Sequence, residues 1–197
     1  MSALPLILAS ASPRRRELLT QIGVPHQLHP VDICEAPQAG EEASAYTQRL
    51  ALEKAQSAQN QLTYPAWILG SDTTVVVDGE ILGKPENQAQ HQQMLLKLSG
   101  RRHQVVTAVA LVGPDTQALR CVITEVEFAD LSLAQIAAYW QTGEPQDKAG
   151  GYAIQGLASV FVKAIHGSYS AVVGLPLFET AQLLSEYQIP MWHQAQS

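Results

Sequence analysis

Three consecutive cations, Arg14, Arg15 and Arg16, follow Ser10-Ala11-Ser12-Pro13, and they are three of the chain's 12 Lys and Arg residues. They fall where a helix should begin, because Ser12 suits an N-cap and Pro13 the first helical position. A helix N-terminus already carries roughly half a positive charge, so arginines there are unfavourable unless an anion joins them. Free backbone N–H groups, the hydroxyls of Ser10 and Ser12 and the forks of Arg14 and Arg15 make a phosphate cradle at the end of a buried strand. Without an anion the same residues are a solvated basic helix start.

Lys54 stands on the apolar face of its helix. At about 100° per residue, Ala43, Tyr46, Leu50, Ala51, Ala58 and Leu62 share one face, and Lys54 falls near its centre. A lysine so placed snorkels, loses its charge or meets an anion. Asp72 is misplaced in the same sense, interrupting the apolar and β-branched run WILGSDTTVVV. A carboxylate in a buried strand is costly unless it is paired, hydrogen-bonded or metal-bound. Otherwise it marks a strand end bonded to nearby backbone. Gly70, two residues earlier, allows close approach by a ligand or another strand.

Three further groups have chemistry only in company. Gly83-Lys84-Pro85 is a turn if read alone, yet it returns a second lysine to the neighbourhood of Asp72. Glu35 follows a strand-like run, with Asp32 three residues before it. Such oxygens suit Mg²⁺, which takes one or two carboxylates together with substrate phosphates, and they equally suit an acidic surface loop. DKAGGYAIQG, residues 147–156, is glycine-rich around Gln155, whose amide donates and accepts at once, as reading a base edge requires. A tight loop before a strand would look the same.

Helix-period segments alternate with strand-like ones, which predicts an α/β chain. Strand 4–9 leads into the helix that starts at Ser12 and exits at Gly23, followed by an extended piece over 26–33. A helix over 42–60 opens on acidic residues. Strand 66–77 closes on Asp78-Gly79, a type I′ hairpin signal, before Glu80-Ile81-Leu82. Asp78 and Glu80 are expected to face water. Helix 86–98 stops at Gly100, and two long strands follow, 103–113 and 118–128. Ser132 and Gln135 form a capping box for helix 132–141. A glycine-punctuated segment over 143–156 precedes strand 159–165, a turn at 166–168, strand 169–173 and a last helix from near Pro176.

The chain's 197 residues fit one domain, and 46% hydrophobic content is ample for a core. A net charge of −6, from 18 acidic against 12 basic residues, argues against a nucleic-acid polymer as partner while leaving room for a small anion. No apolar run reaches the roughly 20 residues that cross a bilayer. Residues 4–9 lack the preceding basic region of a secretion signal. Cys34 and Cys121 have neither metal-motif nor disulfide-scaffold spacing, so the expected location is cytoplasmic. The six histidines (26, 29, 91, 103, 166, 193) lack zinc-motif spacing, and GxSxG, Walker A and GxGxxG are missing. The polar tail, 188–197, is expected to be loose.

In order and spacing, LILASASPRRRELL, RLALEKA, ILGSDTTVVVDGEILGKP and DKAGGYAIQG resemble the Maf family of nucleoside triphosphate pyrophosphatases, from about residue 4 to about residue 186. The resemblance implies one α/β domain with a long twisted mixed sheet flanked by helices and two lobes around a central cleft, the fold shared with inosine triphosphatases. It implies hydrolysis between the α and β phosphates, giving the monophosphate and pyrophosphate. Carried over by motif, Ser10, Ser12, Arg14 and Arg15 bind phosphates, while Glu35, Lys54, Asp72 and Lys84 surround a metal-triphosphate. Asp72 is the proton acceptor, and Glu35 with Asp72 holds Mg²⁺ or Mn²⁺. Arg14, Thr73 and Gln155 match the branch acting on dTTP and UTP; a 7-methyl-GTP branch instead carries a tryptophan after the proline, DQ and SEG. Cys34 departs from the family where many relatives place an acidic residue before Glu35. Alternatives of other classes are a nucleotide-binding regulator of cell division and a docking patch built on SPRRR. A homodimer is compatible with a small α/β enzyme.

Overall fold

The computed structural model describes residues 4–192; His193 and the rest of the tail lie outside the described residues. The element order begins β1 (Leu6–Leu8), α1 (Pro13–Gln21), β2 (Gln27–Leu28), α2 (Ala43–Gln61), β3 (Trp67–Val77), β4 (Glu80–Leu82) and α3 (Gln88–Leu98). It continues β5 (Arg102–Val112), β6 (Gln117–Phe128), α4 (Leu133–Gln141), β7 (Val162–His166), α5 (Tyr169–Val173) and α6 (Leu177–Glu186). The sheet has seven strands in the order β2-β1-β3-β5-β6-β7, with β4 on β3. It is mixed: β1 pairs parallel with β2 and β3, whereas β3–β4 and β6–β7 are antiparallel.

The chain divides into two compact units, the described parts of Met1–Asp72, Thr107–Val122 and Gly174–Ser197, and Thr73–Val106 with Ile123–Val173. The first unit is built on small residues. Ala51, Ala55 and Ala58 of α2 pack on Ile7 and Ala9, on Ala66 and Ile68, and on Ala108, Ala110 and Val112. Alanine on both surfaces lets helix and sheet approach closely, and at Gly70 a Cβ would clash with the Ala51 carbonyl and lie 2.9 Å from the Ala55 nitrogen. What approaches Gly70 is therefore a helix, not a ligand or a strand. In the second unit an aromatic cluster joins Phe128, Tyr152, Phe161, Tyr139 and His103 through edge-on contacts 4.8–6.3 Å between centroids.

Local signals set most boundaries. Ser12 is the N-cap of α1 with Pro13 next, and Gly23 follows with φ 64°. The hairpin turn has φ 53° at Asp78 and 77° at Gly79, as a type I′ turn demands, and Val77 pairs with Glu80. The capping box at Ser132 and Gln135 is complete.

Four expectations need correction. Residues 169–173 are helical, because the Ser168 hydroxyl accepts the Ala171 N–H at 3.2 Å and its carbonyl accepts that of Val172. A β-branched pair, Val172-Val173, gave the strand pattern, and the cap overrides it. β7 starts only at Val162, since Leu157–Phe161 wind into a 3-10 helix. The extended piece over 26–33 forms only the two-residue β2, both residues exposed. Asp78 and Glu80 face water as expected, and each also carries an ion pair there, with Arg101 and Lys97 at 2.6 Å. In the tail, Ile189 is buried and the Trp192 N–H donates to the Ile22 carbonyl at 3.0 Å.

Candidate active site

The register of β1 and β3 pairs Leu8 with Leu69. Two residues beyond each of them lie Ser10, past the end of β1, and Ser71 on β3, with Asp72 next. From α2, whose backbone Gly70 admits, Lys54 reaches the same place. Its ammonium lies 2.7 Å from Asp72 Oδ1 and 2.6 Å from Glu35 Oε1. The side chains of Lys54 and Asp72 are each only 11% exposed, against 42% for Glu35. Lys54 thus does not snorkel; it meets anions. Removing one partner of such a buried pair is strongly destabilising, because the other charge keeps its burial and loses a counter-ion.

The phosphate-cradle residues are partly organised by their own contacts. Ser10, 7% exposed, accepts hydrogen bonds at its Oγ from the Ser12 N–H and from Arg15 Nη1, both at 3.2 Å. Ser12 caps α1 by position without a side-chain bond. Arg15 Nε donates to the Gly174 carbonyl at 2.8 Å, and the Ser71 hydroxyl donates to the same oxygen at 3.0 Å. Burial lowers the Arg15 pKa from its ordinary value; Asp72 opposes that, Arg14 adds to it, and Glu35 opposes it again. The helix start and the carboxylate pair therefore share one electrostatic environment. Arg14 is half-buried beside Arg15.

Glu35 is held from behind by Tyr46, which the sequence reads only as part of the apolar face of α2, and by Arg49, which that reading leaves out. The Tyr46 hydroxyl donates to the Glu35 carbonyl at 2.8 Å, and Arg49 Nη2 to the Ala36 carbonyl at 3.2 Å. Burial, then the charges of Asp72 and Glu35, push the Tyr46 phenol up to about 12, so it stays a donor. Arg49 is fixed in turn by Glu41 at 2.6 Å and by Glu53 one turn along α2. The spacing 46, 50, 54 places Tyr46 in line with Lys54, a signal available in the sequence.

Thr73, Lys84 and Gln155 belong to the second unit. Thr73 is half-buried on β3; Lys84 is exposed in the turn after β4; Gln155 is exposed at a turn. The Lys84 turn and the DKAGGYAIQG loop adjoin, since the Gly150 N–H donates to the Gly83 carbonyl at 2.9 Å. His91 holds the same loop, its Nε2 3.1 Å from the Gly151 carbonyl.

Two carboxylates converging on one internal cation fit a hard divalent ion that takes few protein ligands and completes its shell with water and phosphate. They do not make a dedicated cage: among the described residues no group of three His, Cys, Asp or Glu is placed to hold a metal. Among the same residues no helix is long and apolar enough to cross a membrane.

Comparison with known proteins places the chain in a family. A curated dTTP/UTP pyrophosphatase of Saccharophagus degradans is 51% identical over 190 residues, covering 95% of this chain and 90% of its own. One of Colwellia psychrerythraea is 54% identical over 184 residues, covering 91% and 87%. The solved structure of a HAM1 protein from Coxiella burnetii shares the fold with a TM-score of 0.51 at 18% identity, covering 93% of this chain and all of its own. The sequence pattern of Maf-like proteins matches residues 5–187, and the chain belongs to that family.

Proposed function

We propose that this protein hydrolyses dTTP and UTP to the monophosphate and pyrophosphate, with Lys54, Asp72 and Glu35 as its chemical centre. The observation that carries the reading is the buried Lys54 ammonium held between two carboxylates. The names of relatives at 51% and 54% identity support the substrate class.

A triphosphate repels an approaching nucleophile until its charge is neutralised. Ser10, Ser12, Arg14 and Arg15 would bind phosphate oxygens at the start of α1, and Lys84 would add a second ammonium. Asp72 would accept the proton of the attacking water, oriented by its bond to Lys54; such base help is worth roughly 10²–10⁴-fold. A bound Mg²⁺ or Mn²⁺, held by Asp72 and Glu35, would supply further neutralisation of the phosphates. Thr73 and Gln155 would read the base. Uracil and thymine offer two carbonyls around one N–H, and the Gln155 amide complements one donor–acceptor pair of that edge.

The net charge of −6 supports a nucleotide rather than a nucleic-acid polymer as partner. The free thiols Cys34 and Cys121 support a cytoplasmic location. The test is pyrophosphate release, with Mg²⁺ or Mn²⁺, from dTTP, UTP, CTP, dGTP and 7-methyl-GTP. Preference for dTTP and UTP is expected. Preference for 7-methyl-GTP, or binding without turnover, would overturn the reading.

A further inference from the structure

The base-reading role given to Gln155 leaves Gly156 unexplained. Its φ of −105° lies outside the left-handed region, so a positive φ is not what calls for glycine. Space does: a Cβ at Gly156 would run into the carboxylate of Glu144. That carboxylate grips the turn carrying Gln155. Glu144 Oε2 accepts the Leu157 N–H at 3.1 Å, and Oε1 accepts the Ala158 N–H at 3.4 Å and the Tyr139 hydroxyl at 2.8 Å. The Tyr139 oxygen in turn accepts the Ala153 N–H at 3.1 Å. Between these anchors the Gly156 N–H closes on the Ala153 carbonyl at 3.0 Å, which places Ile154 and Gln155 at the corner. Ile154 is buried and Gln155 is exposed.

Burial, then the bond to Glu144, pushes the Tyr139 phenol above its ordinary pKa, so the hydroxyl keeps the proton it donates. The pair thus satisfies three backbone N–H groups on both sides of one exposed amide side chain. An exposed glutamine in a glycine-rich loop discriminates between bases only if its backbone is fixed to about 0.5 Å. Gly150 and Gly151, with φ of 66° and 70°, serve the preceding bend rather than this one.

We propose that Glu144, together with Tyr139, is a positioning residue for base selectivity, acting through Gln155 without touching the nucleotide. The proposal rests on the reading of Gln155 given above. Glu144→Gln keeps the size of the side chain but turns one acceptor into a donor facing a backbone N–H or the Tyr139 hydroxyl. Tyr139→Phe keeps the ring packing and removes the bridge to Ala153.

The experiment measures kcat/KM for dTTP and for dGTP, with melting curves, in Glu144→Gln, Tyr139→Phe, Gln155→Ala and the Glu144→Gln/Gln155→Ala double variant. The dTTP-over-dGTP ratio is expected to fall on the order of tenfold in Glu144→Gln, chiefly through KM for dTTP, and less in Tyr139→Phe. Added to Gln155→Ala, the Glu144 change is expected to move the ratio less than about twofold, because the residues act as one unit. A folded Glu144→Gln with the parental ratio, where Gln155→Ala lowers it, refutes the positioning role and leaves the Gln155 reading standing. A lower melting temperature with an unmoved ratio refutes it equally. If Glu144→Gln does not fold, the Tyr139→Phe ratio decides by the same criterion. A parental ratio in Gln155→Ala overturns the underlying reading itself.

Discussion

Lys54→Met isolates what the ammonium does for the fold, because methionine keeps an unbranched stem of similar length and loses the charge. The substitution leaves the Asp72 and Glu35 carboxylates, both within one ammonium's reach in the parent, with no cation between them. Two such charges about 5 Å apart repel by about 3 kcal/mol at an effective dielectric of about 20. Glu35 is 42% exposed and can swing outward, so roughly half of that survives, with the loss of the Lys54 counter-ion to the buried Asp72 added to it. A net loss of about 2–3 kcal/mol lowers the melting temperature by roughly 4–12 °C for a chain of this size. Thermal melts of the variant and the parent at neutral pH measure it. Parental melting in a variant that has lost the ammonium would refute the assignment of Lys54 as the internal counter-ion.

Gly70→Ala is expected to lower stability by about 1–3 kcal/mol, since its Cβ meets the α2 backbone at Ala51 and Ala55. Turnover should fall with it, because the same contact brings Lys54 to Asp72; parental melting and rate together would contradict the close-approach argument. Burial pushes the His103 imidazole down to about 4, while its Nε2 lies 2.7 Å from the Tyr152 hydroxyl. The unfolded chain binds that proton near the ordinary 6.5, so this stability is whole above about pH 6.5 and drains towards pH 4, by on the order of 3 kcal/mol. His91, also lowered by burial, acts in the same direction. Denaturant titrations across that window should show a shallower acid limb in His103→Gln; an identical limb would count against the assignment.

The parts legible in the sequence are those specified by neighbours along the chain. Ser12-Pro13, the Asp78-Gly79 turn and the Ser132/Gln135 box each state their geometry within four residues, and each forms where expected. Lys54 was legible because a 3.6-residue period exposes one charge on an apolar face. The remainder depends on partners distant in sequence. Ser168 caps α5 while its own N–H is held by Thr124, 44 residues away, and no local pattern announces that. Gly70 reads as a point of close approach, but only the folded chain shows that α2 is what approaches. Tyr46 reads as core, and its hydroxyl becomes important only once the Glu35 carbonyl lies above it. Glu144 carries no motif of its own; its mark in the sequence is the glycine at 156 that makes room for it.

The most direct measurement is the steady-state rate of pyrophosphate release from dTTP by Asp72→Asn, beside its melting curve. Asparagine retains an acceptor for Lys54, which keeps its second partner in Glu35, so the variant should fold. The expected result is a loss of at least about 100-fold in kcat with a cooperative melt preserved. A folded Asp72→Asn protein that releases pyrophosphate within a few-fold of the parental rate would contradict the cluster's role in the chemistry.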